Sequence, residues 1–249
     1  MEESASRGKL LCVDTSTPIC SMALCDLSGE ILANRISEQG ANHSELVGKY
    51  AQELLEEVSE IGELVGGVVS EGPGSYTGLR IGASFAKGLC MSMSIPLMSV
   101  STPEMLAELA LEALGEDHEE WVLMPMIDAR RMEVYTALYS HSLEEIHPIE
   151  ALVLTDDEKR SEILQKADGR PLYYFGDGAA KAREVMKQAY PSAKLVEQVV
   201  ADARGLVRRG IEKYQKGEFR DIAYWTPLYL KEYNAKISTN KVLGNARTE

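Results

Sequence analysis

The sequence predicts an α/β protein made of two lobes, each running β-β-β-α-β-α. Three observations carry this. Short apolar runs of strand length alternate with longer stretches of helical period. An aspartate closes the first strand of each half, Asp14 and Asp128. A glycine turn stands between the fourth strand and the next helix of each half, Gly72-Pro73-Gly74 and Gly176-Asp177-Gly178.

In chain order, Lys9 to Val13 is an apolar run ending at Asp14 and reads as a buried strand. Ser21 to Cys25 is the second strand. Asp26-Leu27-Ser28-Gly29 turns the chain into the third, Ile31 to Ile36. Leu46, Val47, Tyr50, Ala51, Leu54, Leu55 and Val58 recur with helical period, on a helix that Asn42 or Ser44 can cap. Val65 to Val69 is the fourth strand, and Glu71 to Ser75 turns it into a helix from Tyr76 to Ser92. Pro96 to Val100 leads to a helix opened by the capping box Ser101-Thr102-Pro103-Glu104, with Leu106, Leu109, Ala110 and Ala113 on its buried side.

The second half repeats the order. Trp121 to Ile127, Glu133 to Tyr139 and Ile146 to Leu154 read as strands, and Thr155 to Lys166 as a helix. Leu172 to Phe175 is the fourth strand, followed by the Gly176 turn and a helix to Ala189. A final helix covers Ala201 to Gln215. This divides the chain into a flexible N-terminus (1–8), an N-terminal lobe (9–115), a C-terminal lobe (116–231) and a polar tail (232–249). Matched landmarks in matched places point to the duplicated, ribonuclease H-like architecture of actin, sugar kinases and the Hsp70 ATPase domain.

Composition removes several functions. Among 249 residues, 45% hydrophobic and 26% charged is ordinary for a soluble domain. The net charge of −13 repels a phosphate backbone, so the chain alone binds nucleic acid poorly unless its basic residues cluster. Cys12, Cys20, Cys25 and Cys90 form no CxxC pair, which excludes a zinc ribbon and fits reduced thiols in a cytoplasm. His43, His118, His141 and His147 form no H-x-x-x-H or H-E-x-x-H pair, which speaks against a metal site. No Gly-x-Ser-x-Gly elbow is present. Neither a signal peptide nor a membrane span is expected from the apolar runs.

The segment Gly72-Pro73-Gly74-Ser75-Tyr76-Thr77-Gly78-Leu79-Arg80 carries the most information. A glycine turn opening a helix can hold a phosphate on free amides. With neither a P-loop nor a G-x-G-x-x-G pattern, a tight turn with close helix packing is the favoured reading. Gly78, Gly82 and Ala86 recur every four residues with Ala83 beside them, a small-residue stripe that admits close backbone approach. Packing within the chain and an interface with another protein both remain open. Asp14, Thr15, Ser16 and Thr17 suit magnesium or phosphate contacts, or a loop-holding turn. In the matching Asp128-Ala129-Arg130-Arg131, the arginines are unlike a magnesium site.

Taken together, these residues resemble the TsaB, or YeaZ-like, family. The matches are Leu11-Cys12-Val13-Asp14-Thr15-Ser16-Thr17; Gly72 through Gly82 with Ala86-Lys87-Gly88-Leu89; and Ile127-Asp128-Ala129-Arg130 with Glu133-Val134-Tyr135. Pro227-Leu228-Tyr229-Leu230-Lys231 resembles the family's closing Pro-x-Tyr-Leu-Arg, with Lys231 in place of arginine. The resemblance implies a non-catalytic subunit in synthesis of threonylcarbamoyladenosine in tRNA. Its partners would be a TsaD-like transferase, a TsaE-like ATPase and, when alone, a second copy, with tRNA held mainly by the complex. A TsaC-type synthase supplies the adenylate. No cofactor is firmly expected; vestigial nucleotide binding would involve Asp14, Thr15 and Ser16. The implied partner surface is Gly74, Ser75, Tyr76, Thr77, Gly78, Leu79, Arg80, Gly82, Ala83 and Ala86, together with the face of the 44–58 helix. On that reading, Gly82→Leu abolishes pairing and leaves the fold intact. An independent small-molecule kinase of the same fold is the main alternative, followed by a metallopeptidase and by an interaction protein outside tRNA modification.

Overall fold

Strand β1 (Gly8–Asp14) lies at the centre of the first sheet, antiparallel to β2 (Ser21–Asp26) and parallel to β4 (Glu63–Ser70). With β3 (Ile31–Ile36) and β5 (Leu97–Val100) the order is β3-β2-β1-β4-β5. The second sheet uses β6 (Val122–Asp128), β7 (Glu133–Ser140), β8 (Glu145–Val153), β9 (Leu172–Phe175) and β10 (Lys194–Val196). Its order, β8-β7-β6-β9-β10, repeats the first strand for strand. This computed structural model describes residues 8–58, 63–115 and 120–231. Residues 1–7 of the expected N-terminus, His118 and the expected tail 232–249 lie outside them.

The helices are α1 (His43–Val58), α2 (Tyr76–Met93), α3 (Thr102–Leu114), α4 (Asp157–Gln165), α5 (Ala179–Ala189) and α6 (Val207–Lys216), the last entered through a 3-10 turn at Ala203–Leu206. Their starts follow local chemistry. Asn42 Oδ1 accepts from Ser44 N at 3.2 Å, Ser75 Oγ from Gly78 N at 3.2 Å, and Ser101 Oγ from Glu104 N at 3.2 Å. The duplication extends to backbone angles: Gly72 and Gly176, in matching turns, share φ = +99°.

Burial sorts the elements into five layers. α1 and α2 cover the outer face of the first sheet through Val47, Ala51, Leu54, Ala86 and Cys90. α4 and α5 cover the outer face of the second through Ile163, Leu164, Ala182 and Met186. Between the sheets lie α3 and α6, with Met105, Leu106, Leu206 and Val207 in one shared core. On α3 the buried side is Met105, Leu106, Ala107, Leu109 and Ala110, while the expected Ala113 is exposed. Each half therefore runs β-β-β-α-β-α-β-α; the elements expected at 96–100, from Ser101 and at 201–215 complete the two halves, and β10 alone was not expected. The final helix packs back on the first sheet: a Cβ at Gly210 would meet the Val68 side chain.

Candidate partner-docking surface

The loop after β1 and the start of α2 form one unit. Thr15 Oγ1 donates to the Gly78 carbonyl at 2.8 Å, and Ser75 N donates to the Ser16 carbonyl at 2.7 Å. A Cβ on Gly74 or Gly78 would lie under 3.0 Å from a Ser16 or Thr15 backbone oxygen, and one on Gly82 under 3.0 Å from Thr15 Oγ1. The small-residue stripe is thus the seat of this loop. Each glycine in a helix costs about 1 kcal/mol against alanine, and the close seat offsets that cost.

This corrects part of the expected partner surface. Gly78, Leu79, Gly82, Ala83 and Ala86 are buried inside the chain and offer no side-chain surface to a partner. The expectation that Gly82→Leu spares the fold falls with them, because the leucine would occupy the space of Thr15. Ser75, Thr77 and Arg80 are exposed, and Tyr76 and Gly74 are partly so.

The same packing buries the residues expected to touch a nucleotide. Asp14, Thr15 and Ser16 are each at most 1% exposed. Asp14 Oδ1 accepts from Ser16 N at 3.0 Å and from Ser16 Oγ at 2.6 Å, while Oδ2 has no hydrogen-bond partner. Burial pushes the Asp14 carboxyl above its ordinary range, against the opposing pull of the Ser16 hydrogen bonds. The counterpart Asp128 is exposed and is engaged by Lys181 instead. Among the described residues, no three His, Cys, Asp or Glu side chains converge as a metal site.

Outside the stripe, α2 presents a different face. Ser44 from α1 with Tyr76, Thr77, Arg80, Ile81 and Ser84 from α2 line an open groove of about 390 Å³. The Arg80 guanidinium lies 5.5 Å from the Tyr76 ring centre, and Tyr229 packs on the other residue of this pair, with Tyr76–Tyr229 centroids 5.0 Å apart. Aromatic and arginine side chains on one groove are the usual anchors of protein interfaces. Ser44, Ile81 and Ser84 fall within the expected 74–86 and 44–58 segments without being singled out, and Tyr229 was expected only in the closing motif. Ile81 and Ser84 follow from helical spacing around Tyr76 and Thr77; Ser44 comes from the start of α1, and Tyr229 arrives from the far end of the chain.

It arrives on a strap that begins after α6. Arg220 donates to Glu71 Oε2 at 2.8 Å and Ser99 Oγ at 2.7 Å, and Leu228 N donates to the Glu71 carbonyl at 2.7 Å. Lys231 then pairs with Glu133 and lies 5.6 Å from the Tyr135 ring centre in the second lobe. The closing Pro227–Lys231 motif therefore ties the groove of one lobe to the first hairpin of the other.

Comparison with known proteins adds the family. A family model described as TsaD, tRNA N6-adenosine threonylcarbamoyltransferase, matches residues 30–156. The chain is 34% identical over 188 residues to the tRNA threonylcarbamoyladenosine biosynthesis protein TsaB of Bacillus subtilis, covering 72% of this chain and 75% of that one. It is 26% identical over 228 residues to the protein of the same name from Escherichia coli, covering 90% and 94%. Among solved structures, YeaZ from Pseudomonas aeruginosa superposes with a TM-score of 0.71 at 23% identity, covering 90% of this chain and all of that one, a match of fold. No helix among the described residues is long and apolar enough to cross a membrane.

Proposed function

Because the chain belongs to the TsaB family, we propose that it serves the synthesis of threonylcarbamoyladenosine in tRNA as a non-catalytic subunit that docks and activates a TsaD-like transferase. One observation carries the reading. α2 seats its glycine stripe on the loop after β1 and turns the Tyr76–Arg80 face outward beside α1. A helix used this way is a binding element, with its chemistry shut and its surface open.

The occupant of the groove is the TsaD-like partner, and a second copy of the chain takes the same face when the partner is absent. A TsaE-like ATPase joins the assembled pair. The kinase alternative needs an accessible carboxylate near a phosphate cradle, and the burial of Asp14, Thr15 and Ser16 argues against it. The chain's own arginines give tRNA little hold along α6 and the turn before it: Arg204, Arg208 and Arg209 pair with Glu112, Glu108 and Glu104 of α3. The test is sedimentation of the chain with the TsaD-like protein of the same cell. A hetero-complex lost on Thr77→Trp supports the docking face; a complex that tolerates this bulk on the groove overturns it.

A further inference from the structure

The β6–β7 hairpin ends in two consecutive arginines, and both are in the left-handed region: φ is +66° at Arg130 and +50° at Arg131. A tight hairpin turn with two such positions is most easily made by Asn-Gly or Asp-Gly. Arginine at both works against local propensity, and conflicts of this kind concentrate at functional sites.

The tip is held by hydrogen bonds and an ion pair all the same. Ala129 N donates to the Glu133 carbonyl at 3.1 Å, and Arg130 N to Asp128 Oδ1 at 2.9 Å. Lys181 of α5 pairs with Asp128 and donates to the Arg131 carbonyl at 3.0 Å. Leu154 N donates to the Met132 carbonyl at 2.8 Å. What this scaffold holds out is two exposed guanidinium groups.

Neither guanidinium has a carboxylate within ion-pair distance among the described residues. Most other described arginines are spent on the chain's own acids: Arg35, Arg160, Arg183, Arg204, Arg208, Arg209 and Arg220 all have one. Nearby carboxylates are largely neutralised. Lys181 pairs with Asp128, Lys231 pairs with Glu133, and Asp177 accepts from Asp128 N. In a chain of net charge −13, this tip is a local cationic site.

We propose that Arg130 and Arg131 form a phosphate-binding clamp for the RNA backbone, presented by the second lobe of the assembled complex. The fork of a guanidinium matches phosphate oxygens in pairs, and a preorganised tip loses little freedom on binding. The proposal rests on the tRNA-modification reading above. It adds a direct RNA contact to a subunit whose docking groove lies on the other lobe.

The test uses the assembled complex and unmodified tRNA, with Arg130→Asn/Arg131→Asn as the variant, since asparagine tolerates the left-handed backbone. Lys166→Ala/Lys187→Ala is a control of equal charge change on exposed lysines elsewhere. The expected result is normal assembly, about tenfold weaker tRNA binding near physiological salt, and a salt-dependence slope reduced by about 1 to 2. The control leaves both unchanged, and Arg130→Lys/Arg131→Lys keeps the slope while recovering part of the affinity. Unchanged tRNA affinity in an intact complex overturns the clamp and leaves docking standing. Failure of the arginine variant alone to assemble also overturns it, making the tip a protein contact. If even the wild-type chain does not assemble, the docking reading fails instead.

Discussion

Thr15 and Gly82 meet across the β1 loop and α2, so closely that a single added carbon on Gly82 would fall under 3.0 Å from Thr15 Oγ1. Sixty-three residues separate Thr15 from Gly78, whose carbonyl accepts the same hydroxyl at 2.8 Å. The pair decides what α2 can do: one face is sealed into the fold, and the other is left for a partner.

Gly82→Leu is therefore a stability variant. Forcing a leucine into this seat costs at least about 1–3 kcal/mol, the usual range for overpacking. Thermal unfolding should show a midpoint lower by about 2 °C or more. An unchanged midpoint would mean that the loop yields, and the stripe would return as a surface element.

Ser84→Arg separates folding from docking. Ser84 is exposed on the groove, so the arginine meets solvent in the free chain. The unfolding midpoint should stay within about 2 °C of wild type, while the hetero-complex is lost in gel filtration. Retained pairing would move the partner away from this face.

Asp14→Asn reads the buried carboxyl. Because burial raises the folded pKa above the ordinary 3.8, the stabilisation from the protonated form is complete below 3.8 and is lost as pH rises through the folded value. Asparagine keeps an acceptor for Ser16 and gains an amide donor where Oδ2 has no partner and Ser70 Oγ is also unpartnered. Denaturant unfolding should give a flatter stability–pH curve above pH 4 and about 1 kcal/mol more stability at pH 7. A loss of stability at pH 7 would show that the charged carboxylate has a partner of its own.

The four described cysteines are free and buried. Burial pushes Cys20 up to about 12 and Cys90 up to about 11, so the reactive thiolate is scarce. Iodoacetamide at pH 8 should leave the native chain unlabelled and modify all four thiols in denaturant, read by intact mass. Rapid native labelling of Cys20 would reveal an opening of the β1–β2 loop.

Much of the fold was legible because it is written locally. Capping at Ser101 and Asn42, the period of α1 and the matched turns at Gly72 and Gly176 need only neighbours to be read. β10 was not: Lys194–Val196 has three residues and one buried side chain, too few to display a period. The Gly78–Gly82–Ala86 stripe announced close approach without naming what approaches, and Thr15 is distant in sequence. Tyr229 on Tyr76 and α6 on the first sheet are likewise contacts between far ends of the chain. The Arg130–Arg131 tip was hidden for the opposite reason, because arginine pairs carry no turn signal.

The most direct measurement is threonylcarbamoyladenosine formed in tRNA by purified TsaD-like transferase, TsaE-like ATPase and TsaC-type synthase with ATP, threonine and bicarbonate, with and without this chain. Product is expected only when the chain is present, restored by Asp14→Asn and absent with Ser84→Arg. Full product without the chain, or normal product with Ser84→Arg, would contradict a subunit that works by docking.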